Sequence, residues 1–106
     1  MPESHVLYDE ADKLKDAGKL DEAVVKLNEL LAADPQYALA HSALAVILTR
    51  LRKHDEAIGH AVRVCELVPN DPFSFTALSV TYQRAGRIPE AEDAMARARM
   101  LQMGMH

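Results

Sequence analysis

The chain repeats itself at a constant step. The stretch DEAVVKLNELLAADP at 21–35 returns thirty-four positions on as DEAIGHAVRVCELVP at 55–69 and, more loosely, as PEAEDAMARARMLQM at 89–103. Ala23, Ala57 and Ala91 share one register; Pro35 and Pro69 share another, with Met103 in the third place. The preceding segments keep the same step. Leu14, Leu48 and Tyr82 correspond, as do Ala11, Ala45 and Ser79, and Glu10, Leu44 and Leu78, although Glu10 breaks the apolar rule in the first copy. This period constrains the fold more than any other feature. Each unit is a supersecondary piece too small to bury its own apolar stripe, so the units must stack.

Each unit reads as two helices: 4–17 with 21–33, 38–51 with 55–67, and 72–85 with 89–102. Gly18 and Gly86 stand just past the first helix of their units, where a left-handed stop is easiest for Gly. Arg52 holds that place in the middle unit, which predicts a turn closed differently. Acids gather in the first turn of each second helix (Asp21 and Glu22, Asp55 and Glu56, Glu90 and Glu92), where the helix dipole favours them. Pro72 and Pro89 suit first helical positions, with Asp71 placed to cap the former and Ser4 to cap the opening helix.

A helix-turn-helix unit of this length, repeated in register, resembles the tetratricopeptide repeat. The signature positions fall on Leu7, Ala11, Leu14, Gly18, Ala23, Leu27, Leu30 and Pro35 in the first copy. In the second they are His41, Leu44, Ala45, Leu48, Ala57, Ala61, Val64 and Pro69. In the third they are Phe75, Leu78, Ser79, Tyr82, Gly86, Ala91, Met95 and Ala98. The departures are His41 at an aromatic position, the missing middle Gly and the lost final Pro. The expected fold is all-α: a right-handed solenoid of three helix pairs in a single domain, with repeats at about 4–37, 38–71 and 72–105. The small residues at Ala11, Ala23, Ala45, Ala57 and Ala91 are expected where helices cross closely.

Composition excludes more than it assigns. The formal net charge of −4 argues against nucleic acid as the main partner. That charge is uneven: residues 1–36 hold nine acids and four bases, 37–71 four of each, and 72–106 three acids and four bases. Solvated helix faces account for this better than a docking code does. A lone Cys65 allows no internal disulfide and fits a reducing compartment, and its place on a packing stripe makes it an inert thiol. The N-terminus lacks the charged and apolar regions of a signal peptide, and no apolar run reaches the ~20 residues that span a bilayer. The cytosol is therefore the default location. No catalytic constellation, phosphate loop or cofactor motif is present. His5, His41, His54, His60 and His106 are scattered rather than paired for a metal. The basic turn of Arg50, Arg52, Lys53 and His54 lacks the aromatic interleaving of a nucleic-acid site.

The resemblance implies that the first helix of each pair lines a concave groove. The residues facing it would be His5, Tyr8, Asp12 and Lys15 in the first unit, and Leu39, Ser42, Val46 and Thr49 in the second. Phe73, Thr76, Val80 and Gln83 would follow in the third, with Arg50 and Arg84 near the edge. One subset of the family clamps the C-terminal carboxylate of chaperones with Lys, Asn and Arg. The matching positions here are Tyr8, Asp12, Ala43, Phe73 and Ala77, none of them a cation, so that activity is not expected. A floor of Tyr8, Val46, Phe73 and Val80 suits the apolar side chains of an extended peptide or a helix, and equally suits half-buried solenoid surface with no dedicated ligand.

The far end offers a second surface. Val24 and Leu31 in the first unit, and Ile58 and Cys65 in the second, would meet a following repeat. Glu92 and Arg99 replace them in the third, so the stack is expected to be closed by its own sequence. Met100, Met103 and Met105 read either as core and fraying tail or as an adaptable docking edge. Two roles follow from these surfaces. One is an adaptor holding a protein or peptide partner in the groove; the other is a structural subunit or self-associating scaffold using the Met-rich edge.

Overall fold

The computed structural model describes residues 3–104, and every regular element in that span is an α-helix. In chain order these are α1 (Ser4–Asp16), α2 (Leu20–Ala33), α3 (Ala38–Arg50), α4 (His54–Leu67), α5 (Pro72–Arg84) and α6 (Ile88–Gln102). They form a right-handed solenoid of three helix-turn-helix pairs. The borders differ by one residue from the sequence expectation. Ala17, Leu51 and Ala85 are C-caps rather than last helical residues, and each second helix starts one position earlier. The radius of gyration is 14.0 Å. A compact domain of this length would measure ~13 Å, so the stack is slightly extended.

All three turns within the pairs are closed in one way, including the middle one. Gly18, Arg52 and Gly86 have φ of 78°, 61° and 77°. Their own amides donate to Lys15 O at 2.9 Å, Thr49 O at 3.0 Å and Gln83 O at 3.0 Å. The amide of the next residue reaches further back: Lys19 to Leu14 O at 2.8 Å, Lys53 to Leu48 O at 2.8 Å, and Arg87 to Tyr82 O at 2.9 Å. This pair of backward bonds is a Schellman stop, normally built on Gly. The expectation of a different middle turn is thus overturned: Arg52 accepts the left-handed conformation because the hydrogen bonds demand it. Ser4 also departs from expectation. Its backbone is already helical, Glu3 is the N-cap residue, and the Ser4 hydroxyl donates to Asp34 Oδ2 at 3.3 Å instead. Asp71 does cap α5, accepting from the Phe73 amide at 3.0 Å with Pro72 opening the helix.

The core follows the rhythm of the repeat. Ala11, Ala23, Ala45, Ala57 and Ala91 are all buried, and Leu27, Leu30, Leu44 and Ile47 fill the space between helices. Where the third copy carries Ser79 instead of Ala, its hydroxyl donates to Ala91 O on α6 at 2.7 Å. The buried polar atom is thereby satisfied. Glu10, the charged residue at an apolar register position, lies exposed on α1 and pairs with Lys26 of α2 at 3.2 Å. Within each pair the helices pack on one another, and α2 and α4 also pack on the first helix of the next pair. The first helices touch in succession, α1 against α3 and α3 against α5, which makes one continuous face from α1, α3 and α5.

Candidate partner-binding groove

Between α3 and α5 this face opens into a cavity of about 910 Å³. Ser42, Ala45, Val46 and Thr49 come from α3, Phe73, Ser74, Ala77, Val80 and Thr81 from α5, and Ala61 and Val64 from α4. Val46, Phe73 and Val80 are 52%, 75% and 43% exposed, too much for core side chains. The hydroxyls around them turn inward, Thr49 onto Ala45 O at 2.7 Å and Thr81 onto Ala77 O at 3.0 Å. Bonds of this kind hide the polar atom against the helix, so the wall is more apolar than its composition implies.

The equivalent space between α1 and α3 is nearly closed, with only about 10 Å³ left among Tyr8, Asp12, Lys15, Ala43 and Ile47. Side-chain size explains the contrast. One repeat further along, Tyr8 becomes Ser42, Lys15 becomes Thr49 and Ile47 becomes Thr81. Tyr8 is further held against Tyr37, with ring centroids 6.1 Å apart, and Lys15 against Asp12 at 3.0 Å. The hydrogen bond to Asp12 raises the Lys15 pKa.

The structure therefore divides the residues expected to line one groove. Ser42, Val46, Thr49, Phe73 and Val80 share the large cavity, Tyr8, Asp12 and Lys15 share the small cleft, and Leu39, Thr76 and Gln83 line neither. A cleft between neighbouring first helices is built from the leading face of one and the trailing face of the next. Positions taken at one constant register reach this cavity from both sides, as Ser42, Val46 and Thr49 of α3 and as Phe73 and Val80 of α5. Ser74, Ala77 and Thr81, each one position after a register residue of α5, also line it and were missed as groove residues. Side chains three and four apart share a helix face and so contain the signal. Arg52 and His54, read from sequence as a solvated turn, also stand on the cavity wall.

The tetratricopeptide repeat family profile matches residues 8–72, more than half of the chain. The chain belongs to the tetratricopeptide repeat family. A human relative, tetratricopeptide repeat protein 28, is 30% identical over 79 residues, covering 74% of this chain but only 3% of that protein. Among solved structures, one of MamA superposes with a TM-score of 0.84 at 28% identity, over 95% of this chain and 60% of the other. The second TPR of Spaghetti (RPAP3), bound to the HSP90 peptide SRMEEVD, superposes with a TM-score of 0.83 at 19% identity, covering 93% of this chain and 92% of that one.

Two other places on this tetratricopeptide repeat chain carry polar chemistry. His41, at the aromatic signature position of the second repeat, is buried. Its Nε2 lies 2.9 Å from Pro35 O, and its Nδ1 lies 2.9 Å from Nδ1 of His60 on α4. A carbonyl only accepts, so Nε2 of His41 carries the proton and donates it; Nδ1 of His41 then accepts from Nδ1–H of His60. Burial, and next the neighbouring His41, push the His60 pKa below its usual value, against an opposing pull from Glu56. Cys65 is buried, and burial drives its thiol up to about 11, with Asp71 and Glu66 adding to the shift. Among the described residues no group of three or more His, Cys, Asp or Glu could hold a metal, and no helix is long and apolar enough to cross a membrane. At the far end Glu92, Arg99, Met100 and Met103 are exposed, Leu101 is buried, and Met105 lies outside the described residues.

Proposed function

We propose that this chain is a non-catalytic protein-interaction module that holds a partner's peptide or helix in the groove between α3 and α5. The observation that carries the reading is the exposed apolar trio Val46, Phe73 and Val80 on the wall of one open cavity, beside a neighbouring cleft of the same architecture that is filled. Partner side chains entering the cavity would cover apolar surface that water now covers, at roughly 25 cal/mol for each Å². The fold supports the reading at a coarse level, since the RPAP3 repeat domain that superposes on this chain holds a peptide.

A phage-displayed library of dodecapeptides, panned against the whole chain, tests it. Peptides enriched on the native chain should lose about tenfold or more in affinity for Phe73→Asp and for Val80→Asp, while the helical circular dichroism of both variants stays unchanged. Enriched peptides that bind both variants as well as the parent would discard the groove. The second reading, a scaffold that self-associates through α6, draws on the exposure of Met100 and Met103, at 39% and 72%. It requires a concentration-dependent dimer in analytical ultracentrifugation that the double variant Met100→Glu and Met103→Glu abolishes.

A further inference from the structure

The groove is not uniform along its length. Arg50 and Arg84 are the last residues of α3 and α5, Arg52 sits in the turn after α3, and His54 opens α4; all four stand on the wall of the same cavity. Since α3 and α5 are the first helices of successive repeats, their C-terminal ends share one end of the groove, and the three arginines belong to that end. The one acid on the wall, Asp71, belongs to the opposite end of α5. Its oxygens are taken by the Phe73 amide at 3.0 Å and the Ser74 hydroxyl at 3.1 Å.

Among the described residues Arg63 and Arg87 pair with carboxylates, whereas these arginines, like Arg97 and Arg99, do not. Arg63 pairs with Glu66 at 3.4 Å and Arg87 with Glu90 at 2.7 Å. Arg50, Arg52 and Arg84 make no ion pair and no side-chain hydrogen bond among the described residues, in a chain whose 16 acids outnumber its 12 bases. Nδ1 of His54 beside them is buried and also without a partner. A guanidinium carries five donors and no acceptor, remains charged at every physiological pH, and matches a carboxylate in a planar two-point contact. Three of them next to an apolar floor make a composite surface, with room for one anion at one end and apolar side chains along the rest.

Resting on the groove reading above, we infer that the occupant is an extended peptide with an internal Asp or Glu seated at Arg50, Arg52 and Arg84, and with apolar side chains along Val46, Ala77 and Val80. The anion is a side-chain carboxylate and needs no chain terminus. The positions that the family resemblance sets against a terminal carboxylate are Tyr8, Asp12, Ala43, Phe73 and Ala77 here, none of them a cation. A long polyanion fits less well, because residues 1–36 carry nine acids against four bases and would repel it.

The test uses two synthetic pools of C-terminally amidated dodecapeptides, with Leu, Val, Phe and Ser at the variable positions. Each peptide has one internal Glu in the first pool and Gln at that place in the second. Fluorescence polarisation with the full chain should show the Glu pool binding about tenfold more tightly at low salt, and that advantage should vanish in the double variant Arg50→Gln and Arg84→Gln. Val80→Asp should weaken both pools. Equal binding of the two pools, with both weakened by Val80→Asp, overturns the acidic inference and leaves the groove standing. Binding of neither pool, or binding indifferent to Val80→Asp, removes both. If a short oligothymidine holds these arginines more tightly than the Glu pool does, the ligand is nucleic acid and the inference fails.

Discussion

At the scale of single residues, two positions show how the repeat tolerates a substitution that its pattern disfavours. Arg52 takes a φ of 61° where the other two turns use Gly. For a residue with a Cβ that conformation costs about 1–2 kcal/mol. Nothing lies within 4 Å of where a Cβ would stand at Gly18 or Gly86, so the strain at this kind of turn is in the backbone and not in crowding. The greater freedom of Gly in the unfolded chain offsets part of the gain. Arg52→Gly should therefore stabilise the chain by about 0.5–1 kcal/mol and raise its melting temperature by several degrees, as read by circular dichroism. His41 is the other position. A buried imidazole is accepted there because Pro35 O and His60 satisfy both ring nitrogens. Burial and His41 hold the His60 pKa below 6.5 in the folded state. The unfolded chain then binds more protons, so stability is full above that value and falls as pH drops through it. Glu56, Asn28 and Arg63 line a cleft together with His41 and His60, and of these only the Glu56 carboxylate opposes the shift. Urea denaturation between pH 7.5 and pH 5 should show this slope, and His60→Gln, which still donates to His41 but cannot titrate, should flatten it.

Helices in this chain meet where side chains are smallest. Ala57 of α4 is wholly buried in the cluster that also holds Leu27, Leu44 and Leu48. Ala57→Leu should destabilise by about 1–3 kcal/mol, visible as a lower midpoint in urea with an unchanged slope. The second helices start without a side-chain cap; α2 carries Asp21 with Glu22 in its first turn, and α4 carries Asp55 with Glu56. Those carboxylates sit against the positive end of the helix dipole in place of a cap. Element number and type were legible in the sequence, and every border to within one residue, because apolar period, Gly and Pro are local signals. The role assigned to Ser4 was not legible, because its hydroxyl answers to Asp34, far along the chain at the end of α2.

Across the whole molecule, stability comes from neighbours. Ala45, Ala61 and Cys65 of the second repeat form one cluster with Leu78 and Ala94 of the third. Removing residues 72–106 would bare that surface, and two repeats fall short of the three or so needed to bury a continuous core. The shortened chain should lose its cooperative melt. Its Cys65 should react with a thiol reagent at neutral pH, whereas the full-length thiol, held at about 11, should stay silent. Substitutions at Val80 or Phe73 should change neither readout, because those side chains take no part in the stack.

By itself the sequence determined the repeat, its six helices, the alanines at their crossings and the membership in a family, since all of these follow from residue types at a constant step. Only the tertiary structure decided which clefts are open. Whether Ser42 and Thr49 leave a cavity depends on what Ala77 and Thr81 bring from the facing helix, and no periodicity along one helix records the volume left between two. The gathering of Arg50, Arg52 and Arg84 at one end has the same origin: positions a full repeat apart become neighbours only once the rods lie side by side.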